Sequence, residues 1–478
     1  MKWLNTAATA DTAPTDCSML DLEKMLLAER GDLAALAEAH INPAFVKVLR
    51  LLGFDKSYVR GQGAYLYDEA GNRYLDCLAG YGTFACGRNH PVIRQAIQQA
   101  MELDLPNLLH MGIASLSGLL ARELIALAPG DLERVFFTNS GSEGVETTLK
   151  YARAATGRQR IIHCEKSFHG LTLGALSVNG HGIFRDGFGP LLPGMTAVPY
   201  NDLEALAREL SRGDVAGFIV EPIQGEGVYM PRDDYLPGAL ELCRKHGAVF
   251  IADEVQTGLG RTGKMFACEH WSIEPDILIT AKALSGGYIP AGAVLSKRWI
   301  HDKVFSSLER SVVHSSTFSE NDLAMAAGLA TLHVLQTEKL VENAAALGEK
   351  LAGGLRDVGR KYEMFREVRG KGLMLGIEFG PPQSVSLKMG WNLLHKLDRS
   401  LFCQVMLIPL LNEHQVLAQV AGHHIDVIKL IPTLVITEAD VDHLVQAFDK
   451  VLAASHRFPG PIWDLGKRFA GSAFGIGG

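Results

Sequence analysis

The sequence predicts an α/β protein with a large domain built on a mainly parallel, helix-flanked sheet and a smaller α+β domain. Between about residues 115 and 340, short apolar runs alternate with longer stretches of helical periodicity. Runs that are apolar throughout are typical of parallel strands buried on both faces. Beyond residue 340 the strands and helices form a shorter series. A chain of 478 residues is long enough for two or three domains.

The strands of the large domain are predicted where an apolar run ends at a turn or at a helix. They are 135–138, 161–164, 217–220, 248–252, 277–280 and 293–295. Upstream, alternation over 58–76 predicts a β-hairpin, and the sequence after Pro91 predicts a helix over 91–103. The smaller unit is predicted to contain a strand at 373–379, a helix at 391–401, a strand at 427–431 and a helix at 438–453.

Five segments make up the predicted domain organisation. They are an N-terminal extension (1–45), the N-terminal part of the small domain (46–110), the large domain (111–340), the C-terminal part of the small domain (341–455) and a glycine-rich tail (456–478). Apolar residues at helical spacing over 20–39 and 44–52 predict amphipathic helices separated by Asn42-Pro43. Packing against the body or a partner subunit is the preferred interpretation of their apolar faces, and docking on a membrane surface is the alternative.

The overall composition argues against several classes of protein. With 46 basic and 53 acidic residues, the net charge of −7 gives no reason to expect nucleic acid binding. The seven cysteines have no tight spacing, which favours reduced thiols and a cytoplasmic location. No apolar run is long enough for a membrane span, and no secretory signal is expected at the N-terminus. Neither the cysteines nor the histidines show the spacing of metal ligands.

Asp253 and Lys282 each follow a short apolar run, so both are predicted to lie at the carboxyl end of a parallel strand. Ligands of open α/β sheets bind at that edge. A lysine in partly apolar surroundings can lose its proton and attack a carbonyl group. A buried carboxylate can hold a heterocyclic nitrogen protonated. Pyridoxal phosphate (PLP) requires both of these groups, so the pair indicates a PLP site.

Several segments together resemble the class III (omega-type) aminotransferases of PLP fold type I. The stretch 249–282 contains the acid and the lysine, and the segment 137–143 (FTNSGSE) is similar to the phosphate-binding turn of the family. Segment 167–170 (SFHG) is similar to its ring-stacking segment, and 314–318 (HSSTF) to the segment that reaches the cofactor of a neighbouring subunit. Order and spacing agree over roughly residues 45–455.

The resemblance implies PLP as the cofactor and catalytic roles for Lys282 and Asp253. Lys282 would form the Schiff base with PLP and, once a substrate amine displaces it, would shuttle the proton between substrate and cofactor carbons. Asp253 would pair with the pyridine nitrogen and make the ring an electron sink. Gln256 is expected near the phenolic oxygen of the ring, and Glu221 in the hydrogen-bond network of the cofactor.

Ser140 and Glu143 have capping-box spacing at the start of a predicted helix. A helix N-terminus offers free N–H groups and a partial positive charge, both of which suit a phosphate group. A plain capped helix would explain this segment if it stood alone. Because the lysine and the aspartate are also present, we assign Gly141 and Ser142 to the cofactor phosphate.

Other contacts with the cofactor follow from the resemblance. Phe168 would stack on one face of the ring and Val255 would pack on the other, while His169 is expected to have no catalytic role. Thr317 resembles the threonine that donates to the phosphate from the other subunit, which implies a homodimer with shared active sites. The family usually continues with glycines and Asn-Pro, whereas this chain has Ser-Glu-Asn-Asp at 319–322.

Three residues are candidates for substrate contact. Tyr81 lies in a segment that lines the substrate pocket in the family, with ordinary packing as the alternative. Glu226 matches a position that can pair with an arginine and act as a gate between two substrates. Many relatives have an arginine near the C-terminal Pro-Pro-Leu segment that binds an α-carboxylate, and this chain has Lys429 there. Lysine cannot make the planar, two-bond contact of arginine, so we expect a terminal amine, diamine or lipid-like substrate.

A glycine-rich stretch offers a competing interpretation. Residues 258–263 (GLGRTG) satisfy the dinucleotide pattern GxGxxG, and Lys264 nearly completes a nucleotide-binding P-loop. The P-loop requires Ser or Thr next, to bind magnesium, and this chain has Met265. The dinucleotide pattern should open a helix directly after a strand, but the acidic pair at 253–254 comes first and would repel a pyrophosphate.

These observations predict a PLP-dependent aminotransferase that works in two half-reactions. An amine donor would convert PLP to its pyridoxamine form, and an aldehyde or keto compound would then accept the amino group. A PLP-dependent aminomutase or decarboxylase on the same scaffold is the first alternative. A nucleotide-binding oxidoreductase or a non-catalytic scaffold is the second.

Overall fold

The computed structural model describes residues 20–29, 31, 33–396, 398–399, 401–457, 459–460, 463–464 and 466. Residues 1–19 of the N-terminal extension and most of the glycine-rich tail therefore lie outside the described residues. The chain divides into two compact units, Met1–Asp55 and Lys56–Gly478. The domain boundaries drawn from the sequence remain predictions.

The strands are short and fall into three sheets. They are β1 (Tyr58–Gln62), β2 (Tyr65–Asp68), β3 (Arg73–Asp76), β4 (Arg134–Thr138), β5 (Arg160–Cys164), β6 (Met195–Val198), β7 (Val215–Val220), β8 (Val249–Asp253), β9 (Ile277–Thr280), β10 (Gly292–Ser296), β11 (Phe365–Lys371), β12 (Met374–Phe379), β13 (Val416–Leu417), β14 (Gln419–Val420) and β15 (Val427–Leu430).

Three α-helices precede the first strand, and the others lie between and after the strands. In chain order the α-helices are α1 (Leu22–Glu29), α2 (Leu33–His40), α3 (Pro43–Leu52), α4 (Ala79–Gly82), α5 (Pro91–Glu102), α6 (Ser117–Leu127), α7 (Gly141–Thr156), α8 (Leu173–Ser177), α9 (Gly182–Arg185), α10 (Leu203–Leu210), α11 (Tyr235–His246), α12 (Arg298–Val304), α13 (Asp322–Thr337), α14 (Leu340–Gly359), α15 (Val385–His395), α16 (Leu401–Asn412) and α17 (Glu438–Ser455).

The first unit contains helices α1 to α3. Asn42 caps α3, because its side chain accepts a hydrogen bond from Phe45 N, and Pro43 occupies the first helical position, where its missing N–H is not needed. Gly53 ends α3 with a φ of 67°. Arg50 of α3 and Glu38 of α2 form an ion pair of 2.6 Å on the surface.

The largest sheet has the strand order β4-β10-β9-β8-β7-β5-β6. The pairs from β9 through β6 are parallel, and β10 runs antiparallel to both of its neighbours. Every residue of β7, β8 and β9 is buried, which explains why these strands have no polar alternation in the sequence. Helix α7 packs against one face of the sheet through Val145, Leu149 and Ala152. This sheet fixes the positions of the functional residues described below.

Two smaller sheets complete the second unit. One has the order β1-β2-β3-β13, in which β13 pairs with β3 in parallel, and the other has the order β11-β12-β15-β14. Strand β15 contains Lys429 and is fully buried. Residues near both ends of the unit therefore contribute to one sheet.

The structure corrects several details of the sequence prediction. The hairpin expected over 58–76 is a three-stranded meander, and β6 and β11 were not predicted. The single helix expected over 391–401 was wrong, because Val385–His395 and Leu401–Asn412 are separate helices. Helix α16 is apolar on nearly every side and contains Pro409, so it has no helical periodicity to detect. The burial of all its residues except Gln404 and Asn412 explains that pattern.

Candidate active site

The carboxyl ends of three adjacent parallel strands bring together an acid, an amine and a second acid. Glu221 follows β7, Asp253 is the last residue of β8, and Lys282 comes two residues after β9. The two carboxylates interact electrostatically with the Lys282 amine. The sequence prediction that Asp253 and Lys282 lie at the same edge of the sheet is thus matched by the strand order.

Asp253 is held by two donors and is 4% exposed. Its Oδ1 accepts a hydrogen bond from Val255 N at 3.1 Å, and its Oδ2 lies 2.7 Å from His169 Nδ1. A carboxylate can only accept, so His169 donates through Nδ1–H, which leaves Nε2 unprotonated when the ring is neutral. That buried Nε2 has no hydrogen-bond partner among the described residues. His169 therefore positions the Asp253 carboxylate, a contact that sequence reasoning missed.

Lys282 begins a short 3₁₀ turn and has a φ of 41°, a conformation that is unusual for a residue with a side chain. Burial lowers the pKa of its amine, although the charges of Asp253 and Glu221 act in the opposite direction. A larger fraction of the amine is therefore unprotonated at neutral pH than for an exposed lysine. An unprotonated amine is the form that can attack a carbonyl group.

Glu221 connects the sheet edge to two neighbouring loops and is 6% exposed. Its Oε1 accepts from Phe168 N at 2.9 Å, and its Oε2 accepts from Gly225 N at 2.7 Å. Burial raises the pKa of the carboxyl group, with a further increase from Asp253, while the two backbone donors lower it. These bonds fix the backbone of Phe168, the residue predicted to stack on the cofactor.

The predicted phosphate-binding turn has the expected helix cap. Ser140 is extended, and its Oγ accepts from Glu143 N at 3.2 Å. The Glu143 carboxylate reaches Asn139 N at 2.9 Å, one residue further than a capping box requires. The N–H groups of Gly141 and Ser142 precede the first intrahelical hydrogen bond, so they can bind an anion.

Close contacts around this turn leave no room for larger side chains. A Cβ atom at Gly141 would lie 2.8 Å from Val255 Cγ1, and one at Gly170 would lie 2.2 Å from Ser142 Oγ. Gly170 also has a φ of 125°, which favours glycine. The phosphate turn, the segment that contains Phe168 and the residue after Asp253 are therefore neighbours, as a single cofactor site requires.

Lys429 belongs to the same region and is 5% exposed. Its Nζ donates to Gly225 O at 2.8 Å and to Gln256 Oε1 at 3.2 Å. Gln256 Nε2 in turn donates to the carbonyl oxygen of Tyr81 at 3.1 Å. The Tyr81 side chain is 57% exposed, and its φ is 58°. The structure thus joins the substrate candidates Tyr81 and Lys429 through Gln256.

Glu226 lies next to this network, and its side chain is 15% exposed. A basic side chain borders it, that of His181, whose Nε2 is 3.7 Å from Glu226 Oε2. Burial, followed by the charge of Glu221, raises the pKa of Glu226 to about 7, against the opposing effect of Lys429. No sequence signal indicated His181, because a tertiary loop contact brings it to this position.

The segment that contains Thr317 packs beside the start of α7. Ser316 Oγ accepts from Asn139 Nδ2 at 2.9 Å, and the His314 ring stacks on Phe136 with centroids 4.5 Å apart. Thr317 itself is exposed, so its own chain leaves the hydroxyl accessible. The structure therefore places Thr317 on the surface and does not bring it to Lys282.

The buried ammonium group of Lys429 should make stability depend on pH. Burial, followed by the charge of Lys282, lowers its pKa from 10.5 to about 8, against the effects of Glu221 and Glu226. Between pH 8 and 10.5 the unfolded chain binds this proton and the folded chain does not, so the contribution to stability rises with pH. The rise should be on the order of 3 kcal/mol, at about 1.4 kcal/mol for each pH unit of the window.

Lys429→Met should remove this rise, and denaturant unfolding at both ends of the window would measure it. The free energy of unfolding of the wild type should increase relative to that of the variant as the pH is raised. Lys388→Met replaces an exposed lysine of α15 and is the control. A difference between wild type and Lys429→Met that stays constant with pH would contradict the prediction.

Comparison with known proteins shows which family has this sequence pattern. Residues 53–452 match the family "Aminotransferase class-III". The chain belongs to this family. It is 36% identical over 476 residues to aminotransferase PigE of Serratia sp., an alignment that covers 92% of this chain and 56% of that protein. The chain therefore spans about half the length of this curated relative.

Solved structures of class III aminotransferases show the same fold. Ornithine aminotransferase from Toxoplasma gondii has a TM-score of 0.80 at 29% identity, covering 92% of this chain and 99% of its own. An amine transaminase from an uncultivated Pseudomonas species has a TM-score of 0.72 at 30% identity, covering 84% and 95%. The first contains PLP at partial occupancy and the second is PLP-bound. The predicted PLP fold type I is confirmed.

The residues of this chain fit the PLP cofactor of class III aminotransferases. The capped N-terminus of α7 suits the phosphate, and the buried Asp253, supported by His169, suits a protonated pyridine nitrogen. Lys282 supplies an amine of lowered pKa.

Within the described part of the chain, no cluster of His, Cys, Asp and Glu is arranged to hold a metal ion. Among the described helices, none has the length and apolar character needed to cross a membrane.

Proposed function

We propose that this class III aminotransferase chain transfers an amino group from a terminal amine to an aldehyde or keto acceptor by a two-step, ping-pong mechanism. The observation that carries the activity is the convergence of Lys282, Asp253 and Glu221 at adjacent strand ends. The replacement of the carboxylate-binding arginine by Lys429 supports a terminal amine. PigE is called an aminotransferase, and the Pseudomonas relative an amine transaminase.

Each residue of the proposed site has a distinct task. Bound PLP supplies the electron sink that makes the proton on the substrate carbon acidic. Lys282 Nζ, whose pKa is lowered by burial, accepts that proton and returns it at the neighbouring carbon. The Asp253 carboxylate, fixed by His169 and Val255 N, stabilises positive charge at the ring nitrogen.

Further contacts would orient the cofactor and the substrate. Gly141 and Ser142 would bind the phosphate through backbone N–H groups, and Phe168 and Val255 would enclose the ring. Gln256 would orient the phenolic oxygen, while Glu221 would hold the Phe168 backbone. Tyr81 and Lys429, the two ends of the network through Gln256, would face the substrate.

We also propose a homodimer in which Thr317 of each subunit donates to the phosphate bound by its partner. The exposure of Thr317 supports this role, because no contact with the described residues buries it. Light scattering that showed a monomer at assay concentrations would contradict the dimer.

The cysteines support a cytoplasmic location, where thiols stay reduced. Those described are free and buried: Cys77, Cys86, Cys164, Cys243, Cys268 and Cys403.

The visible absorbance of the purified protein, recorded before and after addition of single amines without an acceptor, tests the proposed activity. We expect a yellow protein that bleaches with pentylamine at least about 10-fold faster than with L-alanine or L-glutamate, because Lys429 cannot make the two-bond contact with an α-carboxylate. Faster bleaching by the α-amino acids would overturn the substrate class. Release of carbon dioxide from an amino acid would favour a decarboxylase instead.

A further inference from the structure

Glu226 carries a buried carboxylate that lacks a strong partner. Its Oε2 has no hydrogen-bond partner among the described residues. The backbone of the preceding residue, Gly225, bonds to both Glu221 and Lys429, so Glu226 is adjacent to the network that surrounds Lys282. An unpaired acceptor at the edge of this network indicates a position for a ligand group that can donate.

Neither of the two nearby basic side chains neutralises this carboxylate. The Lys429 ammonium group donates to Gly225 O at 2.8 Å and to Gln256 Oε1 at 3.2 Å, so its hydrogen bonds are directed elsewhere. His181 Nε2 is 3.7 Å from Oε2, beyond hydrogen-bond distance. Burial, together with the positive charges of His423, Lys166 and His424, lowers the pKa of His181, so its ring is mainly neutral at neutral pH.

The chemistry of the Glu226 carboxylate defines the group that would pair with it. A buried carboxylate without a counter-ion is unfavourable, and a donor that carries positive charge relieves that cost more than a neutral donor does. A primary ammonium group combines positive charge with three N–H donors. A carboxylate or phosphate on the substrate would instead be repelled by Glu226 and Glu221.

We propose that Glu226 binds a second ammonium group of the amine donor, so that the preferred donor is a diamine. One amino group would take the place of the Lys282 amine on bound PLP, while the other pairs with the Glu226 carboxylate. His181 borders the same carboxylate and contributes a neutral ring edge to this subsite. This inference rests on the proposed aminotransferase function and narrows its substrate class.

Pairs of donors that differ only in the second amino group test the inference. Putrescine is compared with butylamine, and cadaverine with pentylamine, by the kcat/KM of the bleaching half-reaction with the PLP-loaded, full-length protein. The wild type should prefer each diamine by about 10- to 100-fold, the range expected for a hydrogen bond to a charged group. Glu226→Gln keeps the shape of the side chain, removes its charge and should reduce that ratio to near one.

Glu241→Gln is the matched control, because Glu241 is an exposed residue of α11. It should leave the diamine preference at the wild-type value. A wild type that uses the monoamines as well as the diamines would overturn the inference without the need for any variant. So would a Glu226→Gln protein whose ratio stays within about threefold of the wild type, since that is well below the expected effect.

The same data separate failure of this inference from failure of the proposed function. If no amine bleaches the protein, the aminotransferase activity itself is wrong. If monoamines and diamines both bleach it at similar rates, the activity stands and the second-ammonium subsite is wrong. A pH-independent preference for hydroxyalkylamines, whose second functional group is a neutral hydroxyl, over diamines would show that Glu226 binds a hydroxyl group, and would also overturn the diamine.

Discussion

Lys282→Ala is expected to lower amino transfer by about 10⁴-fold or more, because the variant loses both the nucleophilic amine and the group that shuttles the proton. Lys282 occupies the turn after β9, where burial lowers its pKa and two carboxylates lie close to its amine. Lys429, the other lysine of this site, is not expected to replace Lys282, because its Nζ donates to Gly225 O and Gln256 Oε1.

The measurement has two parts. Single-turnover kinetics with pentylamine would give the rate, and the visible spectrum would show whether PLP is still joined to the protein. Lys388→Ala removes an exposed lysine of α15 and should retain both properties. A Lys282→Ala protein that keeps the spectrum of the wild type and a rate within about tenfold would exclude Lys282 as the reactive amine, because acid–base catalysis alone contributes more than that.

Asp253→Asn is expected to lower kcat by about 10²- to 10³-fold, the cost of removing a charge from a preorganised site. Asparagine keeps the shape of the side chain, and its single carbonyl oxygen can still accept from His169 Nδ1–H. Its amide nitrogen cannot accept from Val255 N, a loss of about 1 kcal/mol that should leave the fold intact. What is lost is the negative charge that favours a protonated ring nitrogen. The variant should therefore still bind added PLP while reacting slowly with amines.

Asp276→Asn is a matched control for this experiment. Asp276 is also buried, but it lies at the opposite end of β9, where it accepts from Phe250 N at 2.9 Å and is paired with Lys297 at 3.3 Å. Its replacement should lower the free energy of unfolding and leave kcat unchanged. Equal kcat values for Asp253→Asn and Asp276→Asn would show that the charge of Asp253 has no part in catalysis.

The site residues that could be predicted from the sequence are those at strand ends. Asp253 and Lys282 each end an apolar run, and a parallel sheet necessarily brings such positions to one edge. Ser140 was identified by the spacing of a helix cap, which is a local signal. The predicted bounds of the central strands agree closely with the observed ones, because burial on both faces removes polar residues from these segments.

The features that were missed depend on contacts between distant parts of the chain. His169 lies 84 positions before Asp253 in the chain, so the residues around it in the sequence do not show that it contacts the Asp253 carboxylate. The contact between His181 and Glu226 is also tertiary. Strand β6 is short and lies at the edge of the sheet, so partial exposure weakens its apolar pattern. Local sequence shows which residues are reactive more readily than it shows which residues support them.

The pairing of β13 with β3 has a consequence for synthesis on the ribosome. Val416 pairs with Leu75 and Leu417 with Asp76, and Ile431 N donates to Cys77 O at 2.9 Å. The edge of β3 that pairs with β13 therefore stays unpaired until nearly the whole chain has been translated. Late closure of this kind leaves an exposed strand edge during elongation, which makes a nascent chain prone to association and dependent on chaperones. Premature termination before Val416 would leave that edge permanently open.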